Sequence, residues 1–267
     1  MSVTVLERLI PLDPPARAGR LVERNLLVYR RTWMVLLSGF FEPLFYLLGI
    51  GFGIGALVGS VAGPDGHPIP YQVFVAPALL ASSAMNGAIY DSTTNVFFKL
   101  KYAHTYEAIL TTPVGIADVA VGEIAWALIR GTLYAVGFMA VMLVLGLVRS
   151  SAWLLAFPGS MLIGLAFASV GMSISTWVRS WSDFDRLQLV LLPMFLFSAT
   201  FYPLAAYPPV LQLVVQLTPL YHGVDLLRGL TTGVVGVPQL VDVAYLAGMA
   251  VLGLAVVSRR LEHLLLR

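Results

Sequence analysis

The sequence contains no cysteine, only two lysines and unusually few charged residues. The absence of cysteine among its 267 residues excludes disulfide bonds, thiol catalysis and thiolate metal sites. Charged residues make up 11% of the chain, whereas a typical soluble domain carries about 25%. The first 32 residues also lack the apolar core of a signal peptide, so we expect no cleaved signal. Together these shortages indicate a protein whose main solvent is lipid.

Three catalytic motifs are missing as well. A P-loop requires Gly-x-x-x-x-Gly-Lys before Ser or Thr, but neither Lys99 nor Lys101 follows Gly or precedes Ser or Thr. The His-Glu-x-x-His pattern of zinc proteases and the Gly-x-Ser-x-Gly pattern of α/β-hydrolases do not occur either. We therefore expect that the chain is not an enzyme, hydrolyses no ATP itself, and binds no cofactor or metal.

Long apolar runs dominate the rest of the sequence. Hydrophobic residues make up 58% of the chain, and several runs exceed the roughly 20 residues that a helix needs to cross a bilayer. The alternating pattern of a membrane β-barrel is absent. The sequence predicts an all-α integral membrane protein with six transmembrane helices, at about 34–60, 71–99, 119–147, 153–178, 187–202 and 238–258.

The residues before the first span predict an amphipathic helix in the membrane interface. Over 16–33, arginines recur on one face and apolar residues on the other, which suits anionic headgroups and acyl chains. The arginine face holds Arg17, Arg20, Arg24 and Arg31, and the apolar face holds Ala18, Val22, Leu26, Tyr29 and Trp33. The predicted domains are a tail and interfacial helix over 1–33, a membrane domain over 34–258 and a tail over 259–267.

The distribution of positive charge predicts the orientation. With six spans, thirteen Lys and Arg residues fall on one side, and only Arg149 and Arg228 fall on the other. The positive-inside rule then puts both termini and the 99–118 segment in the cytoplasm. The segment therefore offers a polar, helix-forming surface to a cytoplasmic partner.

A long stretch without charge precedes the last span. No charged residue occurs between Arg186 and Asp225, and this stretch is broken by Pro203, Pro208, Pro209 and Pro219. Such a length is more than one span needs and is tight for two spans with a loop. We interpret about 203–232 as two short helices that dip into the outer leaflet and return, with Asp225 and Arg228 able to pair on the return limb.

Several polar side chains fall within the predicted spans. Ser82, Asn86 and Tyr90 recur every four residues on the second span, and Glu42 lies in the first. Polar groups at membrane depth are costly unless they face protein or water. Structural hydrogen bonding and substrate lining are both open for this stripe. Aromatic residues nearby, Phe195 among them, suit sugar rings and acyl chains and equally suit packing against lipid.

Ionisable groups in the spans raise a separate possibility. Glu123 and Arg130 stand seven residues apart, two turns along one face of the third span. With Glu42 and Asp91 they could form a proton relay. We favour packing or pairing instead, because no span carries a set of closely spaced carboxylates.

Three stretches resemble the permeases of ABC-2 type exporters. The sequence TYEAILTTPVG at 105–115 is similar to the segment that follows the second span in that family. A second match covers 196–228, with LFSATFYPL, YPPV and LTPLYHGVDLLRGL, and a third joins 39–60 to ASSAMNGA at 81–88. These motifs stand in the expected order between the expected spans, and they look especially like the NodJ-like, nodulation-type lipooligosaccharide exporter permeases.

This resemblance implies a type V ABC exporter fold and assigns roles to residues. A coupling helix over about 103–113 would dock on a separate ABC ATPase, which would hold the ATP and Mg²⁺, through Thr105, Tyr106, Glu107, Ile109, Leu110, Thr112 and Pro113. An outer re-entrant hairpin would contain Pro203, Pro219, His222, Asp225 and Arg228. The translocation path would be lined by Glu42, Ser82, Asn86, Tyr90, Phe195 and Phe201.

The resemblance also implies an assembly and a function. Two permease copies, more in keeping with a homodimer than a heterodimer, would pair with two ATPase subunits in the bacterial inner membrane, without nucleic acid. The substrate would be an amphipathic molecule such as a glycolipid or lipooligosaccharide, moved outward. A drug efflux permease of the same architecture is the alternative. A proton-coupled carrier or an intramembrane enzyme is a different class that stays open.

Overall fold

The computed structural model describes residues 14–31 and 41–265. Most of the predicted N-terminal tail, Trp33 and the start of the first predicted span lie outside the described residues. Ten helices, a short 3-10 turn at Leu204–Ala206 and one short β-hairpin make up the described part of the chain. In chain order the helices are α1 Pro14–Arg31, α2 Phe41–Val58, α3 Tyr71–Lys101, α4 Thr105–Leu110, α5 Ile116–Val144, α6 Ser151–Ser175, α7 Ser182–Phe197, α8 Pro209–Leu217, α9 Pro219–Thr232 and α10 Val237–Leu265.

Five of these helices are long and apolar enough to cross a membrane: α2, α3, α5, α6 and α10. Helices α8 and α9 meet at a bend of 88° and would add a sixth only if they formed one span. The fifth predicted span is shifted and short, since α7 has 16 residues and measures about 24 Å at 1.5 Å per residue. Helices α3, α5, α6 and α10 agree closely with the predicted spans.

Helix α3 forms the centre of the bundle. Of its most apolar 18 residues, 83% are buried, because α5, α6 and α9 pack around it. A face of α6 with small residues, Ser160, Gly164 and Ala168, is buried as well. Close contact continues to α10, where the Oγ of Ser173 donates to the carbonyl of Gly253 at 3.0 Å. Small side chains at these crossings let the helices approach closely.

Helix α2 covers α3 from the side and contains a π-helical stretch, Leu47–Ile54. Gly51 and Gly55 both pack on Gln72 at the start of α3, and Gly55 also packs on Tyr71. Gly49 and Gly53 face outward. The glycine repeat at 49–55 therefore serves contact within the chain on one of its two faces.

Helix α1 packs across the start of α5 with a face that overlaps the predicted apolar face only in part. Ala18, Leu21 and Asn25 are buried, whereas Leu26 is 58% exposed. The predicted apolar face is thus wrong in part, because polar partners on α3 and α5 bring Asn25 toward the bundle while Leu26 faces outward. The helix is fixed to the bundle through these polar contacts as well as through apolar ones.

A two-stranded antiparallel hairpin replaces the loop expected between the first two spans. Its strands are β1 Ser60–Ala62 and β2 Pro68–Pro70. The turn is closed by a backbone hydrogen bond of 2.8 Å from Gly63 to His67, and the carboxylate of Asp65 accepts from the backbone N–H of His67 at 3.0 Å. The all-α prediction therefore missed one short sheet at the end of the bundle.

Candidate functional site

The Lys99 end of the bundle contains a buried ion pair that joins three helices. The Nζ of Lys99 lies 2.7 Å and 2.8 Å from the two carboxylate oxygens of Glu123 on α5. Asn25 of α1 completes the group, since its side chain accepts from Lys99 at 3.1 Å and donates to Glu123 at 3.2 Å. Because every charged atom has a partner, this group can stay out of water. Lys99 therefore points into the bundle and does not offer its charge to a partner outside it.

A second ion pair joins the same two helices, α3 and α5, farther from the Lys99 end of the bundle. The guanidinium of Arg130 on α5 is bonded to the carboxylate of Asp91, and it also donates to the hydroxyls of Tyr29 at 3.1 Å and Tyr134 at 2.8 Å. Asp91 begins a π-helical turn, Asp91–Asn95, of a kind frequent at functional sites. Burial is the main reason that the pKa of Tyr29 rises to about 12, so its phenol stays protonated.

The two ion pairs follow from the order of charges on antiparallel helices. Asp91 precedes Lys99 on α3, and Glu123 precedes Arg130 on α5. When the two helices run in opposite directions, each acid meets a base of the other helix. The favoured interpretation of Glu123 and Arg130 as pairing residues agrees with these contacts, although each pairs with a residue of α3 and not with the other. This complementary order is the signal that sequence reasoning missed.

A cavity of about 530 Å³ lies beside the deeper ion pair, between α2, α3, α5 and α7. Three predicted path residues, Glu42, Asn86 and Tyr90, line it. The remaining lining residues are Gly87, Ile89, Thr93, Thr94, Arg130, Tyr134, Phe184, Leu187, Gln188 and Leu191. Hydroxyls, amides, aromatic rings and one carboxylate are thus gathered in one recess.

The cavity continues toward the hairpin end as a much smaller space of about 20 Å³. Glu42 and Asn86 belong to both spaces, and Ser82 and Phe195 line the smaller one. Ser82 is 2% exposed and donates to the carbonyl of Ala78 at 2.8 Å, so part of the predicted stripe serves the helix itself.

Aromatic side chains close the smaller space. The ring of Phe195 lies 5.5 Å from that of Tyr46 and 5.3 Å from that of Phe201, measured between centroids. Phe201 is buried behind Phe195 and lines neither space. Its predicted place on the lining is therefore wrong, and its contact is with the ring that does line the space.

The segment predicted to couple to an ATPase lies at the Lys99 end, with α4 at Thr105–Leu110. The side chain of Glu107 is 68% exposed and pairs with His104 at 2.9 Å. Four other residues predicted to contact the ATPase are half-buried: Thr105, Ile109, Leu110 and Pro113. Thr112 is exposed. Arg17 of α1 donates to the carbonyl of Pro113 at 3.4 Å, so α1 braces this segment.

Tyr106 is the exception in that segment. It is 1% exposed and points into the bundle near Glu123, so it cannot present its side chain to a docking partner, and its predicted contact role needs correction. Burial raises the pKa of the Tyr106 phenol well above its usual range. The side chain anchors α4 against α5.

The bent pair α8 and α9 is held by Arg228. This side chain is 5% exposed and donates to the carbonyls of Phe74 at 3.2 Å and Ala199 at 2.8 Å. It forms no salt bridge with Asp225, so the predicted pair is wrong. Pro203 precedes a short turn, and Pro219 starts α9.

His222 has a partner that sequence reasoning did not find. Its Nδ1 lies 2.7 Å from the carboxylate of Asp242 on α10, and its ring stacks on Tyr245 at 3.9 Å between centroids. This contact ties α9 to the last helix. Across 14–31 and 41–265, no three His, Asp or Glu side chains are grouped closely enough to hold a metal ion.

Comparison with known proteins agrees with this architecture. The model of the ABC-2 type transporter family matches residues 18–231. Nodulation protein J of Rhizobium leguminosarum bv. trifolii is 34% identical over 212 residues, which cover 79% of this chain and 79% of that protein. Nodulation protein J of Rhizobium meliloti (strain 1021) matches with the same identity and coverage. The inner membrane transport permease YadH of Escherichia coli (strain K12) is 24% identical over 184 residues, or 68% of this chain and 70% of that protein.

The family match spans most of the chain, and the helices that it covers are apolar and long enough to form a multi-pass membrane protein. The resemblance read from the sequence motifs is thereby confirmed. This chain belongs to the ABC-2 type transporter family and is a membrane permease of an ABC transporter.

Proposed function

We propose that this chain is the permease of an ATP-driven exporter that moves an amphipathic, glycolipid-like or lipooligosaccharide-like substrate outward across a bacterial inner membrane. A separate ABC ATPase supplies the energy, with its own ATP and Mg²⁺. The Lys99 end and both termini face the cytoplasm in this proposal. The observation that carries it is the 530 Å³ cavity, which is wide at the Lys99 end and closed by aromatic rings toward the other end.

The chemistry of the cavity supports an amphipathic substrate. Binding sites for organic ligands combine apolar walls with a few polar groups that fix orientation. Here Ile89, Leu187 and Leu191 supply apolar surface, while Asn86, Gln188 and other polar side chains supply hydrogen bonds. One molecule with a sugar-like head and an acyl tail satisfies both kinds of wall.

The route of coupling runs from α4 through the two buried ion pairs. Helix α4 lies between the end of α3 and the start of α5, and the Lys99–Glu123 pair joins those two helices directly beneath it. The Asp91–Arg130 pair follows along the same helices, and Arg130 lines the cavity. A shift of α4 caused by the ATPase would therefore reach the cavity wall through bonded side chains. Export requires that the two states of the ATPase contact α4 differently.

The proposal also includes a second copy of the chain. Helix α7 has no buried residue, and only 22% of the apolar window of α2 is buried. These two helices form one side of the cavity, so another permease copy placed against them would complete the wall. We favour a homodimer, with the substrate path close to the interface. Helices α8 and α9 would dip into the outer leaflet and return.

The deciding experiment is purification of the full-length chain from its native membrane, followed by reconstitution. The proposal expects an ABC ATPase to copurify at equal stoichiometry and an acylated oligosaccharide probe to cross the vesicle membrane only with ATP. Movement of the probe by the chain alone under a proton gradient would instead favour a proton-coupled carrier.

One feature favours drug efflux as a second candidate. Glu42 offers a carboxylate in the cavity, and cationic amphipathic drugs carry a matching charge. Deletion that changes drug susceptibility while surface glycolipids stay unchanged would support this candidate.

A further inference from the structure

Glu42 differs from three other acidic side chains inside the bundle, which are all paired. Asp91 and Glu123 each have a cation, and Asp242 has His222. Glu42 forms no ion pair within 14–31 and 41–265, and it lines both parts of the cavity. An ionisable residue at such a position is by default a candidate for ligand contact.

The net charge of the cavity wall follows from its two ionised groups. Asp91 neutralises the charge of Arg130, and the guanidinium also donates hydrogen bonds to two tyrosine hydroxyls. This positive charge is therefore compensated within the protein. Glu42 remains, and the other polar groups on the wall are the amides of Asn86 and Gln188 and the hydroxyls of tyrosines and threonines. The wall therefore carries about one negative charge, which repels anions and attracts cations.

From this arrangement we propose that the cavity selects head groups by charge: it binds groups that donate hydrogen bonds and carry no negative charge, with the Glu42 carboxylate as the acceptor. Uncharged sugar hydroxyls and protonated amines both meet this requirement, whereas phosphate and sulfate groups are repelled. The inference rests on the proposed function, since it takes this cavity as the place where cargo binds. It adds that the head group of the cargo is recognised and that Glu42 recognises it.

The position of Glu42 suits this role. It lies where the wide and narrow parts of the cavity meet, so a head group that moves toward the aromatic rings passes the carboxylate. Asn86 belongs to both parts as well and can hold the same head group from α3. A hydrogen bond that involves a charged partner is about twice as strong as a neutral one, so Glu42 dominates the selection.

The test uses three probes with the same alkyl chain: dodecylamine, dodecyl maltoside and dodecyl phosphate. Each is titrated, at a concentration below its micelle threshold, against the full-length chain in phosphatidylcholine nanodiscs. We expect dodecylamine and dodecyl maltoside to bind and dodecyl phosphate to bind at least about tenfold more weakly than dodecylamine, a difference of about 1.4 kcal/mol. Stronger binding of the amine than of the maltoside would favour a cationic drug as cargo, and the reverse a glycolipid.

Glu42→Gln should weaken dodecylamine binding about tenfold. It should also make the affinity for dodecyl phosphate similar to that for dodecyl maltoside. The matched control is Glu23→Gln, which neutralises an exposed carboxylate on α1 and should leave all three affinities unchanged. If Glu42→Gln does not fold, Gln188→Glu adds a second carboxylate to the wall and should weaken dodecyl phosphate binding further.

Equal binding of phosphate and amine by the unaltered chain would overturn the inference, as would three affinities that neither variant changes. Neither result touches the proposed function, because ATP-driven movement of an acylated oligosaccharide is measured separately. Conversely, charge selection in the binding assay would stand even if no ATPase copurified.

Discussion

Leu21 of α1 packs directly over Gly122 of α5, so closely that a Cβ atom on the glycine would lie 2.8 Å from the leucine side chain. The same atom would stand 3.0 Å from the backbone carbonyl of Ala18. This contact brings Asn25 and Tyr29 of α1 to the two ion pairs. The position of the N-terminal helix, and with it the brace on Pro113, therefore depends on a hydrogen atom at residue 122.

Gly122→Ala should release α1 from the bundle. Overpacking of a tight contact typically costs about 1–3 kcal/mol, and here the backbone of α1 must move. Hydrogen exchange over residues 14–31 should accelerate while exchange in α3 stays slow. Gly131→Ala is the control on the same helix, because its Cβ would meet the nearest atom, the carbonyl of Ala84, at 3.9 Å. Unchanged protection of α1 in Gly122→Ala would contradict this account of the packing.

Loss of one partner of the Lys99–Glu123 pair should destabilise the protein more than loss of both partners. Glu123→Gln leaves a buried ammonium without its anion, for which the expected cost is about 3–5 kcal/mol. The double variant Lys99→Met with Glu123→Leu removes both charges and should recover most of this loss. Thermal unfolding of the detergent-solubilised chain measures both effects.

A matched control for this pair exists on the surface of α1. Arg20 and Glu23 form a salt bridge of 2.8 Å with both side chains more than half exposed, so Glu23→Gln should cost at most about 1 kcal/mol. Equal destabilisation by Glu23→Gln and Glu123→Gln would mean that burial does not set the strength of the Lys99–Glu123 interaction.

The long apolar runs were enough to predict four of the six spans closely, because a lipid solvent imposes a length and a composition on every crossing helix. Helices α3 and α5 match their predicted ranges to within a few residues for this reason. The hairpin formed by β1 and β2 was not predictable in this way, since strands of three residues leave almost no periodic pattern.

The contacts of α1 with the buried ion pairs depend on tertiary structure, which explains why they were missed. Asn25 and Glu123 are 98 residues apart, and nothing near either one in the sequence marks the other. A short-range guess, Asp225 with Arg228, failed because Arg228 is occupied by two backbone carbonyls. Three cavity residues, Glu42, Asn86 and Tyr90, were foreseeable from one rule: polar groups at membrane depth face protein or water.

Arg228→Lys should weaken the bent pair α8 and α9 even though the charge is kept. The guanidinium reaches two carbonyls from two different nitrogens and lies 3.7 Å over the ring of Phe74, and a single ammonium cannot match that geometry. Loss of one hydrogen bond from a charged group costs about 1.5–3 kcal/mol, measured as a lower unfolding midpoint.

Arg186→Lys provides the comparison for Arg228→Lys, because the side chain of Arg186 is 80% exposed and should tolerate the change. Asp225→Asn should likewise have a smaller effect than Arg228→Lys, since no salt bridge links the two residues. A strong coupling between Asp225 and Arg228 in a double-mutant cycle would restore the pairing that the contacts exclude.

Two residues of the predicted coupling segment should have different roles: Glu107 should dock on the ATPase, and Tyr106 should anchor α4 to the bundle. Glu107→Ala removes an exposed carboxylate of α4 and should abolish substrate-stimulated ATP hydrolysis in the reconstituted complex, while the unfolding midpoint of the chain stays within a few degrees. Tyr106→Ala removes a buried ring instead and should lower stability by about 3–5 kcal/mol, because a large cavity opens against α5. Tyr106→Phe keeps the packing and should leave both measurements near their original values. Normal stimulation of the ATPase by the Glu107→Ala permease would rule out docking through this face of α4.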